Sequence, residues 1–256
     1  MTNVILLTGA SRGIGAAIAR KVLADASVRL VAIARSSDGL QQLVDQYGTE
    51  RVGVVVGDIS EPMVYQKAVK TAIDQFGQLD VLVLNAGVLD PVAPIGEAVI
   101  GDWKRLFDIN FFSIVGLVAE ALPYLRNAAN GKGKVIAVSS GASTKAYSSW
   151  GAYGASKAAL NHYILSLSSE EQPLVEAISV APGVVDTQMQ SDIREVHGSK
   201  MSVEGLQRFI DLKKNNQLVH PDEPAAIYAG LALREWPPDI NGKYLRYNDQ
   251  VLSQFN

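Results

Sequence analysis

The sequence predicts a doubly wound α/β fold, with a mostly parallel seven-stranded sheet held between two layers of helices. Three observations predict it. Short runs of Val, Ile and Leu alternate with longer stretches of helical period along the 256 residues. The runs are continuous rather than alternately apolar and polar, which means burial on both faces and hence parallel pairing. No linker, short repeat or low-complexity segment breaks the alternation, so residues 1–256 are expected to form one domain.

Taken in order, "NVILLTG" reads as the first strand and "GIGAAIARKVLAD" as the first helix. "VRLVAIA" is a second strand, followed by the helix "DGLQQLVDQYG", which stops at a glycine. "RVGVVVGD" is the third strand, and "MVYQKAVKTAIDQFG" its helix. "LDVLVLNAG" is the fourth, followed by a long helix from about Asp102 to Leu125. "GKVIAVSSG" and "VEAISVAPG" are the fifth and sixth strands, flanking a helix that contains "WGAYGASKAAL". A less regular stretch follows. The helix "EPAAIYAGLALRE" then leads to a last short strand near "GKYLRY".

Composition narrows the function. The net charge of −3 gives no electrostatic case for nucleic acid or an anionic membrane. Cysteine is absent, which removes disulfides, thiol nucleophiles and thiolate metal sites. The three histidines, at 162, 197 and 220, have no ligand spacing; they are expected to be solvated or capping, and no metal site is expected. "MTNVILLTGAS" lacks a basic region and is not expected to be a signal peptide, so a cytoplasmic protein is expected. The most apolar helix, "FFSIVGLVAEALPYL", is expected to be too short to cross a bilayer and carries Glu120.

"TGASRGIG" joins the first strand to the first helix. Gly9, Gly13 and Gly15 bracket the turn, with Ser11, Arg12 and Ile14 between them. Glycines there let the backbone approach a pyrophosphate, which the helix N-terminus then faces with free N–H groups. The spacing is G-x-x-x-G-x-G, so the position of the turn carries the nucleotide reading more than the pattern does. The second strand ends "AIARSS". Ala34 occupies the position where an acid would bind the ribose hydroxyl of NAD, and Arg35, Ser36 and Ser37 follow. Two guanidiniums, Arg12 and Arg35, and neighbouring hydroxyls suit the 2′-phosphate of NADP, so NADPH is the expected cofactor. At later strand ends, Asp58, with Ile59 beside it, is placed to accept from the adenine amino group. Asn85, Ala86 and Gly87 form a small turn where the adenosine ribose passes.

Tyr153 and Lys157 stand four apart on a helix, hence on one face, among the small residues Gly151, Ala152, Gly154 and Ala155. Carbonyl reduction needs a hydride source, a proton donor and a group that polarises the carbonyl. A phenol gives up its proton reluctantly, at a pKa of about 10. A lysine ammonium one turn away, and the positive ring of the oxidised cofactor, would lower that value. Lys157 is also placed to hold the nicotinamide ribose, Ser140 to bond the substrate oxygen, and Asn110 to hold a water that relays protons to Lys157.

"TGASRGIG", "NAG", Asn110, "SSGAS", "YGASK" and "APGVVDT", in this order and spacing, resemble the short-chain dehydrogenase/reductase family over essentially the whole chain. The segments "LFDINFFSIV", "SSWGAYGASKAALNH", "APGVVDTQMQ" and "NGKYLRYND" further resemble its fungal benzil reductase branch, which is similar to sepiapterin reductase. The resemblance implies a Rossmann domain with Tyr153 as general acid, Lys157 as ribose anchor, Ser140 as carbonyl polariser and Asn110 as water holder. It also implies that Pro182, Gly183, Val185 and Thr187 cradle the nicotinamide.

The substrate is less legible. Tyr147, Trp150, Met189 and Met201 either line an aromatic or bulky apolar ketone or fill local core. Residues 188–219, with the amphipathic "SVEGLQRFIDLKKNN", are expected to act as a substrate lid. The long helix is apolar on more faces than one core contact needs, so a homo-oligomer paired through this helix and the Tyr153 helix is expected. Three functions fit: a reductase of ketones or α-diketones, a sepiapterin-type pterin reductase, and a non-catalytic NADPH sensor.

Overall fold

The computed structural model describes residues 2–129 and 131–256. Seven strands form one sheet: β1 (Asn3–Thr8), β2 (Val28–Ala34), β3 (Val52–Val56), β4 (Val81–Leu84), β5 (Gly133–Val138), β6 (Val175–Ala181) and β7 (Tyr244–Arg246). Their order is β3-β2-β1-β4-β5-β6-β7, and every neighbouring pair is parallel. All six residues of β1 and all seven of β6 are buried, as their unbroken apolar runs require.

Period-2 alternation divides β1 between two cores. Ile5 and Leu7 face α1 (Gly13–Leu23), α2 (Ser37–Tyr47) and α9 (Asp222–Leu233), against Ile18, Leu40 and Tyr228. Val4 and Leu6 face α3 (Pro62–Phe76), α5 (Ser113–Leu125) and α6 (Gly151–Glu170), against Val69, Leu117 and Ile164. The stretch after β6 is more ordered than its sequence suggests. It holds α7 (Gln188–Glu195) and α8 (Val203–Lys214), and Val185 pairs with Val219 across its base.

Two expectations need correction. The long helix begins at Ile100, as α4 (Ile100–Phe107), and runs through one wide π turn, Asp108–Phe112, into α5. In that turn the Ser113 N–H reaches back to the Asp108 carbonyl, so the helix widens without ending. The continuous run Ile100–Leu125 has 26 residues and is long and apolar enough to cross a membrane by length and composition, contrary to the reading from "FFSIVGLVAEALPYL" alone. In this fold, 44% of its most apolar window is buried inside the protein. Secondly, His197 is neither solvated nor a cap: it is buried, with Nε2 3.4 Å from the Asp90 carboxylate. His220 does cap, its Nδ1 accepting from the Asp222 N–H at the start of α9. Among the described residues, no group of three or more His, Asp or Glu side chains is arranged to hold a metal.

Candidate active site

Strand order reverses between β1 and β4, which opens a crevice at the C-terminal ends of the strands. That crevice is a cleft of about 880 Å³. Gly9 and Gly15 make its floor possible. Gly9 has φ +69°, and a Cβ on it would stand 2.7 Å from Asn85 Nδ2. A Cβ on Gly15 would stand 2.0 Å from the Gly9 carbonyl oxygen. Only glycine fits either position. Asn85 Nδ2 donates to the carbonyls of Thr8 and Gly9, both at 3.0 Å, and fastens the turn to the end of β4. Thr187, at the N-cap of α7, brings its Cγ2 to 3.3 Å from a Cβ built on Gly13. The loop after β6, with Pro182, Gly183, Val185 and Thr187, thus closes over the glycine turn, and all four line the cleft.

At the far end, Ala34, Arg35 and Ser36 line the cleft, and no acid stands at the end of β2. Arg12 and Arg35 are exposed, and among the described residues neither is ion-paired. Ser36 occupies the N-cap of α2 without using its hydroxyl as a cap. Asp58 and Ile59 lie beside them, but the Asp58 carboxylate is already engaged. It accepts from Arg105 Nη2 at 2.6 Å and from the Ser60 N–H and hydroxyl at 3.0 and 2.7 Å. Burial raises its pKa, and these bonds outweigh burial and hold it below the ordinary carboxylate value. A cradle that a Cβ would fill, and two unpaired guanidiniums at its end, fit a phosphate-bearing dinucleotide.

Ser140, Tyr153 and Lys157 meet in the same cleft. Ser140 ends the β5 loop, where its Oγ accepts from the Ala142 N–H at 3.1 Å. Tyr153 sits in the first turn of α6, and Lys157 Nζ lies 6.0 Å from its ring centroid. Lys157 is 3% exposed and donates to the Val138 carbonyl at 2.8 Å; burial brings its pKa down to about 8. Tyr153 differs from expectation. Burial raises its pKa, while a hydrogen bond from Ser140 pulls it the other way. In the protein alone, desolvation of the phenolate outweighs that bond.

Asn110 lies in the π turn and is fully buried. Its Oδ1 accepts from the Val88 N–H, and its Nδ2 donates to the Val88 carbonyl, each at 2.8 Å; Nδ2 also reaches Ser156 Oγ at 3.3 Å. Both amide hydrogens are therefore spent, and one lone pair of Oδ1 remains. The side chain clamps the strand end that bears Ala86 and Gly87, and it has no N–H left to hold a water.

Tyr147 and Trp150 form an aromatic wall, stacked at 4.9 Å, with Phe209 stacked on Trp150 at 5.5 Å and Trp150 edge-on to Tyr153 at 5.8 Å. Met189 lines the cleft beside them. Met201 packs into the cluster behind the wall and does not reach the cleft.

Sequence reasoning missed several residues that shape the site. Thr8 Oγ1 accepts from the N–H groups of Asn85 and Ala86 at 3.0 and 2.9 Å. Asn161 Oδ1 accepts from Ser139 Oγ at 2.6 Å, and its Nδ2 donates to Ser143 Oγ at 2.9 Å. Ser143 and Tyr244 in turn donate to the Ser140 carbonyl at 2.7 and 3.1 Å. Asn161 follows Lys157 by four residues, so helical spacing alone placed it on the reactive face. Arg208, Phe209 and Arg246 carried no local signal, because only the tertiary fold brings α8 and β7 to the cleft.

A glycine cradle at the switch point beside a Ser–Tyr–Lys set defines a dinucleotide-dependent oxidoreductase. The profile of the short chain dehydrogenases matches residues 3–198. The chain belongs to the short-chain dehydrogenase/reductase family of oxidoreductases, which use a nicotinamide cofactor. It is 46% identical over 259 residues to "Benzil reductase ((S)-benzoin forming) IRC24" of Saccharomyces cerevisiae, covering 98% of each chain. The crystal structure of the short-chain dehydrogenase/reductase YIR035C from Saccharomyces cerevisiae superposes with a TM-score of 0.95 at 49% identity, covering 99% of both chains. A structure described as a cytoplasmic protein with unknown function, from the same yeast, gives a TM-score of 0.84 at 48% identity and again covers 99% of each.

Proposed function

We propose that the protein is an NADPH-dependent carbonyl reductase acting on aromatic or bulky apolar ketones and α-diketones. The observation that carries this reading is the meeting of Ser140, Tyr153 and Lys157 beneath the stacked rings of Tyr147, Trp150 and Phe209. The 46% identity to a benzil reductase supports the diketone class. Arg12, Arg35 and the uncommitted Ser36 hydroxyl support NADPH over NADH, since a 2′-phosphate takes charge-assisted bonds from guanidiniums. The glycine turn and the loop of Pro182, Gly183, Val185 and Thr187 would hold the cofactor, with Asp58, Ile59, Asn85, Ala86 and Gly87 along its adenosine half. The bound cofactor supplies the hydride.

The chain's own groups do the rest. Ser140 donates to the substrate oxygen and polarises it. Burial keeps Tyr153 protonated at neutral pH, so the phenol stands ready as acid. As its proton leaves, the Lys157 ammonium one turn away stabilises the growing phenolate, which is worth more in a buried site than in water. Residues 1–256 act as one domain with 188–219 as lid, in a cytoplasmic homo-oligomer paired through α5 and α6.

NADPH oxidation measured with benzil, an aryl methyl ketone and sepiapterin tests the reading. Reduction of benzil and the aryl ketone well above sepiapterin is expected. A preference for sepiapterin would replace the substrate class, and no turnover with any of them would overturn the reductase reading.

A further inference from the structure

The substrate end of the cleft carries positive charge that carbonyl chemistry does not use. Arg208 on α8, Arg246 at the end of β7 and Lys145 all line the cleft. Among the described residues, none of the three forms an ion pair. The cleft's two aspartates are held elsewhere, Asp58 by Arg105 and Asp186 by Lys213.

Two of these cations lie around Gly141. Arg208 Nη1 donates to Tyr147 Oη at 3.2 Å, and its guanidinium carbon lies 5.4 Å from the Tyr147 ring centroid and 5.7 Å from that of Phe209. Tyr147 Oη and Arg246 Nη1 each lie 3.9 Å from the point where a Cβ on Gly141 would stand. Gly141 directly follows Ser140, so both guanidiniums reach the substrate side of the reactive groups. Arg208 is oriented by the aromatic rings and spends one of its five N–H donors on Tyr147; among the described residues the rest of its fork has no hydrogen-bond partner.

Between Arg208 and the Tyr153 phenol runs the aromatic wall, two rings long: Tyr147 on Trp150, then Trp150 against Tyr153. The wall offers hydrogen-bond donors and no carboxylate. The buried indole N–H of Trp150 also has no partner among the described residues. A neutral diketone would leave this charge unanswered. A flat substrate with its carbonyl at Tyr153 and an anionic group an aryl length away would answer it.

We propose that the preferred substrates are aromatic ketones bearing a carboxylate on the ring, remote from the carbonyl, and that Arg208 and Arg246 bind that carboxylate. This rests on the carbonyl reductase reading and narrows it. Guanidinium forks bind carboxylates through paired charge-assisted bonds, and because both arginines are exposed, salt screens their attraction.

The test compares 4-acetylbenzoate with its methyl ester, which share ring and carbonyl and differ in charge. At saturating NADPH, kcat/KM for the acid is expected to exceed that of the ester by about tenfold or more, and the ratio to fall as salt is raised. In the double variant Arg208→Gln, Arg246→Gln, the ratio is expected to fall to about one through the KM of the acid. The NADPH dissociation constant, read by fluorescence, is expected to hold. The wild-type ratio needs no variant: an acid reduced no better than the ester overturns the proposal. So does a preference that survives the double variant, or a double variant that loses NADPH affinity instead. If benzil is reduced and neither acetylbenzoate is, the acid class is wrong while the reductase reading stands. If neither benzil, an aryl methyl ketone nor sepiapterin is reduced, the reductase reading falls and takes this proposal with it.

Discussion

Asn110 and Val88 are joined at both ends of one amide: Oδ1 accepts from the Val88 N–H and Nδ2 donates to the Val88 carbonyl, each at 2.8 Å. The π turn at Asp108–Phe112 is what allows this, because it seats Asn110 fully buried and level with the end of β4. The pair ties the long helix to the strand end that bears Asn85, Ala86 and Gly87. A Cβ on Gly87 would come within 3.3 Å of Asn110 Oδ1 and 3.5 Å of Lys157 Nζ, so one clamp positions the turn, the amide and the lysine together.

Asn110→Leu keeps the size of the side chain and removes the clamp. It leaves the Val88 N–H and carbonyl without their partner, at a cost of about 2–4 kcal/mol in stability. Denaturant unfolding is expected to show that loss, and the KM for NADPH is expected to rise because the Gly87 turn loosens. Unchanged stability would mean that water replaces the amide and that the clamp contributes little.

Asn110 also marks where sequence reasoning stops. Asparagine is a poor helix former, so its place inside the long helix is visible in the sequence. Its role was not visible, because a widened turn leaves no mark in side-chain periodicity. The strands were legible from their unbroken Val/Ile/Leu runs, and the Tyr153–Lys157 pair from a spacing of four. Arg208 and Arg246 were not legible: each is an exposed residue by local pattern, and only the return of residues 188–219 and β7 over the strand ends brings them to the cleft. In the protein alone the pKa of Tyr153 goes up, because burial decides its direction and the sequence displays only the nearby charge.

Arg35→Asp is expected to weaken NADPH and relatively to favour NADH. The end of β2 lacks an acid, and this substitution places one where a phosphate is proposed to lie. Losing one charge-assisted contact costs about 1.5–3 kcal/mol, on the order of ten- to a hundredfold. Steady-state kinetics with both cofactors check it. An unchanged preference would move the phosphate away from Arg35.

Phe112 is 56% exposed, resting edge-on against Phe111 at 5.3 Å. Phe112→Glu therefore opens no core. If the protein pairs through this helix, the substitution places a charge in a dry contact and is expected to dissociate the oligomer. Sedimentation velocity on the purified variant decides it, and an intact oligomer would move the interface to another face.

Lys157 ionises near pH 8 in the fold, against about 10.5 in the unfolded chain. Between those values the unfolded chain binds more protons, so this lysine makes stability rise with pH across the window. At and below neutral pH its buried charge costs about 3 kcal/mol. Lys157→Met is expected to unfold later than the wild type at about pH 7, less the lost bond to the Val138 carbonyl, and the gap is expected to narrow towards about pH 9.5. The same ammonium is needed in the proposed chemistry, so reduction by the wild type is expected to decline above about pH 8. A stability gap that ignores pH would mean that the lysine keeps its ordinary pKa in the fold.

Tyr153→Phe removes one oxygen and keeps the ring. Trp150 still packs edge-on against it, and Ser140 still accepts from the Ala142 N–H, so the wall and the polarising hydroxyl are expected to stay in place. Among the described residues, the buried phenol has no hydrogen-bond partner beyond Ser140, so its loss leaves no backbone group among them stranded. Folding and NADPH binding are therefore expected to survive, as a melting curve and a fluorescence titration would show. Reduction is expected to fall by about 10²–10⁴, the usual worth of a positioned acid, or roughly 3–5 kcal/mol of barrier. The loss should fall on kcat rather than KM, because the missing proton transfer belongs to the transition state. The residual rate is also informative: Lys157 remains, so any decline above about pH 8 that persists in the variant belongs to the lysine and not to the phenol. A variant that binds NADPH normally and reduces benzil at close to the wild-type rate would mean that another group gives the proton, and the role proposed for Tyr153 would be wrong.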